Sequence, residues 1–174
     1  MKLSIDFEYM DKFGTPKVSV YVDNIELYNG PVSHQFDFDV ELSDGSHILR
    51  IAHYEKGVTD FDEEHDKHIV IKQIRLDEVD LDQLEYNKLT HRGKFYPDYE
   101  ESYVRTCREQ NIEMPEYFCP NHYLGHNGSW VLDFSTPAYD WIIKEQKPSG
   151  INLEDTIFST GADSLLKVKN FFNV

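Results

Sequence analysis

Between Phe36 and Ile51 the chain alternates apolar and polar residues on both sides of the dipeptide Asp44-Gly45. Phe36, Phe38, Val40 and Leu42 fall on one side of an extended segment, and Asp37, Asp39 and Glu41 fall on the other. His47-Ile48-Leu49-Arg50-Ile51 resumes the alternation after the dipeptide. A side-chain period of two suits an extended strand with one buried face, and Asp-Gly tolerates the backbone of a tight turn. The pattern predicts a β-hairpin, and with it an antiparallel sheet that is apolar on one face and wet on the other.

The flanking segments read the same way. Leu3, Ile5, Phe7 and Tyr9 alternate, and Asp11 to Pro16 is turn chemistry. Val18, Val20 and Val22 alternate again before Asp23-Asn24, a tight turn into Ile25 to Tyr28. In His68 to Leu76, Ile69 and Ile71 are out of phase with Ile74 and Leu76. A β-bulge near Lys72-Gln73 would turn both pairs inward. Strands at this spacing predict a mainly β fold, an antiparallel β-sandwich of jelly-roll type.

A chain of 174 residues is one domain by length. Its second half departs from strand patterning: residues 77–128, rich in Pro, Tyr and charge, read as an irregular, helix-containing insertion in the sandwich. Asp98 with Glu101 three residues on forms a capping-box pattern, and Tyr99, Tyr103 and Cys107 form a helical stripe ending near Asn111. Thr136-Pro137 marks a second helix start, with Ala138, Trp141 and Ile142 on one face. Ser129 to Phe134 reads as a strand, and Thr156 to Ser159 and Leu165 to Phe172 read as late strands.

Charge narrows the function classes. A formal net charge of -15 opposes binding to nucleic acid and to anionic lipid, both of which need a basic face. No run approaches the roughly 18 apolar residues of a membrane span, and the N-terminal residues alternate like a strand instead of forming a signal peptide. Synthesis and retention in a cytoplasm are therefore expected. Cys107 and Cys119 alone make no disulfide framework and read as free thiols.

Three constellations could carry chemistry. Asp60, Asp62, Glu63, Glu64 and Asp66 crowd one loop, and such a loop either stays solvated or holds a hard cation such as Ca²⁺. It is not an EF-hand, because His65 stands where that loop needs Gly and Ile71 where it needs a bidentate Glu. The candidate calcium ligands are Asp60, Asp62, Glu64 and Asp66. Cys107, Cys119, His122 and His126 are zinc-ligand types, although Cys107 also suits the buried stripe of a helix. Tyr96, Tyr99, Tyr117 and Tyr123 are candidates for contact with a ligand or partner, or for pinning the insertion to the sandwich. No nucleophile elbow, zinc-protease motif or phosphate loop occurs, so no enzymatic activity is expected.

Two family resemblances add to this reading. Asn29-Gly30, the phenylalanine-rich strand, Gly45-Ser46-His47-Ile48-Leu49-Arg50-Ile51 and Asp66 to Ile74 resemble the calcium-dependent xylan-binding carbohydrate-binding modules. The resemblance implies a small β-sandwich in which an acidic loop holds calcium that itself ligates sugar hydroxyls. Asp66 stands at one ligand position, and the family's Asn-Asp pair falls near Glu55-Lys56. Tyr123 to Pro137, with Trp141-Ile142, resembles segments of uncharacterised tailed-phage proteins. That second resemblance implies a nonenzymatic virion subunit (decoration, neck, tail or fibre-associated) that contacts other virion proteins or copies of itself. The preferred expectation is such a bacteriophage structural protein; the alternative is a calcium-dependent module that binds a surface glycan.

Overall fold

The computed structural model describes residues 1–57, 59, 60, 62, 65–82 and 89–145. In chain order it contains β1 (Lys2–Tyr9), β2 (Lys17–Val22), β3 (Ile25–Pro31), β4 (Gln35–Asp39), β5 (Gly45–Tyr54), β6 (Ile69–Leu76) and β7 (Val79–Asp80). A 3₁₀ turn (Leu89–Arg92), β8 (Lys94–Pro97), α1 (Glu101–Glu109), β9 (Tyr123–Leu124), β10 (Gly128–Thr136) and α2 (Ala138–Glu145) follow. One sheet has the order β4-β1-β6-β7, with β9 also on β6; the other has the order β3-β2-β5-β10-β8. Every pairing is antiparallel. The inward faces of both sheets supply one core, including Leu3, Ile5, Val20, Ile51, Ile74 and Trp130. This is the β-sandwich that the alternation predicts.

The bulge lies where the phase slip places it. Asp6 faces Gln73 and Phe7 faces Ile71, so Lys72 is the extra residue and Ile69, Ile71, Ile74 and Leu76 are all buried. Asp23 adopts a left-handed φ of 53° in the two-residue turn from β2 to β3.

The strongest sequence feature folds differently from the hairpin it predicts. β4 pairs with β1, whereas β5 lies between β2 and β10 in the opposite sheet. Residues 40–44 therefore cross from sheet to sheet. Val40 is buried and exchanges backbone hydrogen bonds with Met1, at 2.9 and 2.8 Å. The physical reason is the pairing of apolar faces. A hairpin would put the Phe36/Phe38 face and the Leu49/Ile51 face on one sheet, whereas the crossover sets them on opposing layers. Phe36 accordingly meets Tyr28 of the opposite sheet with ring centroids 4.4 Å apart.

The segment 77–128 adds edge strands to both sheets and the helix α1. That helix starts after Glu100, without a side-chain cap, and the expected Asp98 box does not form. Asp98 is held elsewhere: its N–H donates to the Asn127 carbonyl at 2.6 Å. At the other end Asn111 takes φ 54° and the Ile112 N–H returns to the Cys107 carbonyl at 2.8 Å, closing the helix as left-handed caps do. Helix α2 buries Ala138, Trp141 and Ile142, as its stripe predicts. The late strands expected at 156–159 and 165–172 lie outside the described residues.

Candidate functional site

A cleft of about 360 Å³ opens at the end of the sandwich where β5 finishes. Three segments distant in sequence meet there: Lys56-Gly57, the β8–α1 junction from Asp98 to Thr106, and His126-Asn127. Asn127 is the joint between them. Its side-chain Oδ1 accepts the Lys56 N–H at 2.8 Å, its Nδ2 donates to the Lys56 carbonyl at 2.9 Å, and its own carbonyl receives the Asp98 N–H. Gly128 follows at φ 153°, and a Cβ there would come within 2.4 Å of the Tyr96 carbonyl oxygen. Only glycine lets β10 start so close to β8.

One wall of the cleft is aromatic. Tyr99 and Tyr103 stack with centroids 5.6 Å apart and an interplanar angle of 24°, and His126 meets Tyr99 edge-on at 5.6 Å. Tyr99 is half-buried, while Tyr103 keeps 48% of its surface exposed. Burial raises the pKa of the Tyr99 hydroxyl, and hydrogen bonding with Cys107 raises that of Tyr103. Burial first, then the Lys56 charge, lowers the pKa of His126, so the imidazole is neutral at pH 7. Asp98, Glu100 and Asn127 line the same space with polar side chains. A second groove, of about 530 Å³, shares Asp98 and Asn127 with the cleft and continues past Tyr96 and Pro97. An apolar wall with convergent acceptors and an amide is the usual make-up of a small-ligand site.

The expected contact tyrosines spread around this end. Tyr99 stands in the cleft and Tyr96 in the adjoining groove. Tyr117 packs on Tyr96 at 5.6 Å with the Lys94 ammonium 4.9 Å above its ring. Tyr123 packs on His68 at 4.8 Å and donates its hydroxyl to Asp66 at 2.7 Å; burial first, and then Asp66, raises its pKa. Tyr103, Asn127, Asp98 and Lys56 are cleft residues outside the candidate contacts expected from the sequence, where Tyr103 reads as helix stripe and Asp98 as helix cap.

The described carboxylates of the acidic loop each take a separate basic partner. Asp60 accepts the Lys67 ammonium at 2.9 Å, and Asp62 accepts Lys12 at 2.6 Å and pairs with His65 at 3.0 Å. Asp66 takes the Lys56 ammonium. Glu64 lies outside the described residues. Cys107 is buried on α1, Cys119 is exposed, and His126 belongs to the tyrosine wall. His122 lies beside β6, its carbonyl accepting the Ile71 N–H at 2.9 Å. Among the described residues no three His, Cys, Asp or Glu side chains converge as metal ligands.

A second polar cluster sits at the opposite end of β5. His47, only 6% exposed, points one ring nitrogen at Asp23 Oδ2 (2.8 Å) and the other at the Ser43 carbonyl (2.9 Å). The second nitrogen also lies 3.1 Å from the Thr136 hydroxyl, and two pure acceptors, the Asp23 carboxylate and the Ser43 carbonyl, favour a ring protonated on both nitrogens. Hydrogen bonding to Asp23 raises the His47 pKa, and hydrogen bonding to His47 lowers that of Asp23. The Asp23 Oδ1 also accepts the Ile48 N–H at 2.9 Å. No helix among the described residues is long and apolar enough to cross a membrane.

Tyr123 to Pro137 and Trp141-Ile142, from which a virion role is expected, fall mainly on β9, β10 and α2. No family model and no curated protein sequence matches the chain. Two solved structures are similar to it. A vCBM60 in complex with galactobiose is 9% identical with a TM-score of 0.47, over 78% of this chain and 98% of that one. The selenomethionine form of vCBM60 is 10% identical with a TM-score of 0.48, over 75% of this chain and 88% of that one. The latter is described as linking, through circular permutation, two families of calcium-dependent carbohydrate binding modules.

Proposed function

We propose that this protein is a non-catalytic carbohydrate-binding module that takes a neutral oligosaccharide in the Tyr99–Tyr103 cleft. The observation that carries the reading is the stacked, half-exposed tyrosine pair set beside Asp98, Glu100 and Asn127. A pyranose ring has an apolar C–H face that packs on an aromatic plane, and equatorial hydroxyls that donate to carboxylates and exchange bonds with an amide. The neighbouring groove past Tyr96 gives a further sugar unit somewhere to lie. The net charge of -15 favours a neutral glycan over an anionic one. The resemblance carried by residues 29–76 points the same way, and the reading replaces the virion subunit as the preferred function.

Binding without hydrolysis is the reading adopted for the cleft, whose two carboxylates, Asp98 and Glu100, are both supplied by the β8–α1 junction. A glycosidase needs its pair on either side of the scissile bond, about 5 Å or about 6.5–9.5 Å apart.

Calorimetric titration with neutral xylo-, gluco-, manno- and galacto-oligosaccharides tests the proposal. At least one series should bind saturably with Kd between about 10 µM and 1 mM. Tyr103→Ala should weaken that binding by about tenfold, or about 1.4 kcal/mol, with little change in Tm because the ring is so exposed. Saturable binding to none of the series, or an unaltered Kd in Tyr103→Ala, would overturn the reading.

A further inference from the structure

Calcium is implied by the resemblance of the acidic loop, and the residues present do not fit it. Calcium takes about six to eight oxygens around one point. Here each described carboxylate of the loop is committed to a different lysine, and the carboxylate at the matched position, Asp66, already has a cation against it. The Lys56 side chain is only 12% exposed, and its ammonium donates both to Asp66 Oδ1 and to the Gly125 carbonyl. The second oxygen of Asp66 accepts the Tyr123 hydroxyl. A divalent ion placed beside that ammonium would meet its repulsion as well as a shortage of oxygens.

We propose that the Lys56 ammonium serves as a built-in cation in place of calcium, so that the cleft is ordered, and binds its ligand, without any metal. Lys56 lies two residues after β5, Asp66 precedes β6, and Gly125 follows β9, so one ammonium ties three chain segments together. Two of those segments continue into the cleft as Lys56-Gly57 and His126-Asn127. The main chain of Lys56 is clamped by Asn127 at the same time, which leaves the side chain little choice of direction. A carboxylate and a carbonyl turned toward one part-buried point favour a positive charge between them, and a tethered lysine supplies it at any calcium concentration.

The inference rests on the glycan-binding reading only for what the cleft holds, so its test uses no sugar. Thermal unfolding of the full chain in excess EDTA and in about 1 mM CaCl₂ should give the same Tm, and calorimetric titration with CaCl₂ should show no saturable heat. A calcium site with Kd near 10 µM would instead raise Tm by several degrees at that concentration. Lys56→Met keeps the aliphatic stem and removes the charge. It should lower Tm by roughly 5 °C or more and shift the amide NMR signals of Gly125, His126 and Asn127, while Lys56→Arg should recover much of the loss. Stoichiometric calcium binding by the wild-type protein, or a Lys56→Met variant with unaltered Tm and spectrum, would overturn the proposal. Should Lys56→Met not fold, the wild-type calcium titration still decides the matter. Glycan binding that fails while these results hold would count against the function alone.

Discussion

Replacing Asp23 tests how the far end of the sandwich is held. Asp23 ties the β2–β3 turn to β5 through two acceptors, one for the buried His47 ring and one for the Ile48 N–H. A hydrogen bond to a charged group contributes about 1.5–3 kcal/mol and an ordinary one about 0.5–1.5 kcal/mol. Asp23 keeps 40% of its side chain exposed, so solvent screens the pair and the lower end of each range applies. Asp23→Ala should therefore cost about 2 kcal/mol, or roughly 4–8 °C in Tm for a chain of this size. Asp23→Asn keeps the shape and the tolerance for a left-handed backbone but removes the charge, and should cost about 1 kcal/mol.

The pH dependence of that cost separates charge from packing. His47 has a folded pKa above its ordinary value of 6.5, so its contribution is complete below pH 6.5 and is lost as pH rises through the folded pKa. Asp23 has a folded pKa below its ordinary 3.8, so its share is complete above pH 3.8 and is lost as pH falls through the folded value. The penalty of Asp23→Asn should consequently be largest near pH 5.5 and shrink toward pH 9. Urea unfolding followed by the fluorescence of the buried Trp130 and Trp141 measures it. An equal penalty at pH 5.5 and pH 9 would refute the imidazolium clamp.

Two further perturbations probe the end that carries the cleft. His53, 1% exposed, donates from Nδ1 to the Leu124 and His126 carbonyls at 3.1 Å, and burial lowers its pKa to about 4. The unfolded chain then binds the proton more tightly, so stability should fall as pH drops from 6.5 toward 4, by up to about 3 kcal/mol, and His53→Gln should flatten that limb of the stability–pH curve. Gly128→Ala should destabilise by about 1–3 kcal/mol and weaken glycan binding, because the added Cβ would stand 2.4 Å from the Tyr96 carbonyl oxygen where β10 meets β8; unaltered urea unfolding would contradict that packing.

The sequence by itself determined the features that one segment can decide alone. Alternation chooses the strands, because a period of two only suits an extended chain with one buried face. The phase slip between Ile71 and Ile74 locates the bulge, since both pairs must reach the same core. Thr136-Pro137 places the start of α2, and Asp23-Asn24 places a turn, from the backbone preferences of those residues. Partnership was decided elsewhere. The Asp44-Gly45 signal is as strong as local chemistry can make it, yet β4 and β5 occupy different sheets, because which apolar faces oppose each other is a property of the whole core. Asp98 reads as a helix cap but spends its backbone on Asn127. The acidic loop reads as a metal site because two of its three lysine partners, Lys12 and Lys56, lie outside it in sequence. The cleft itself joins residues 56, 99, 103 and 127, and no single segment contains enough of it to be recognised. A charge is neutralised, and a ligand surface assembled, by whatever the fold brings within a few ångströms, and only the tertiary structure decides that.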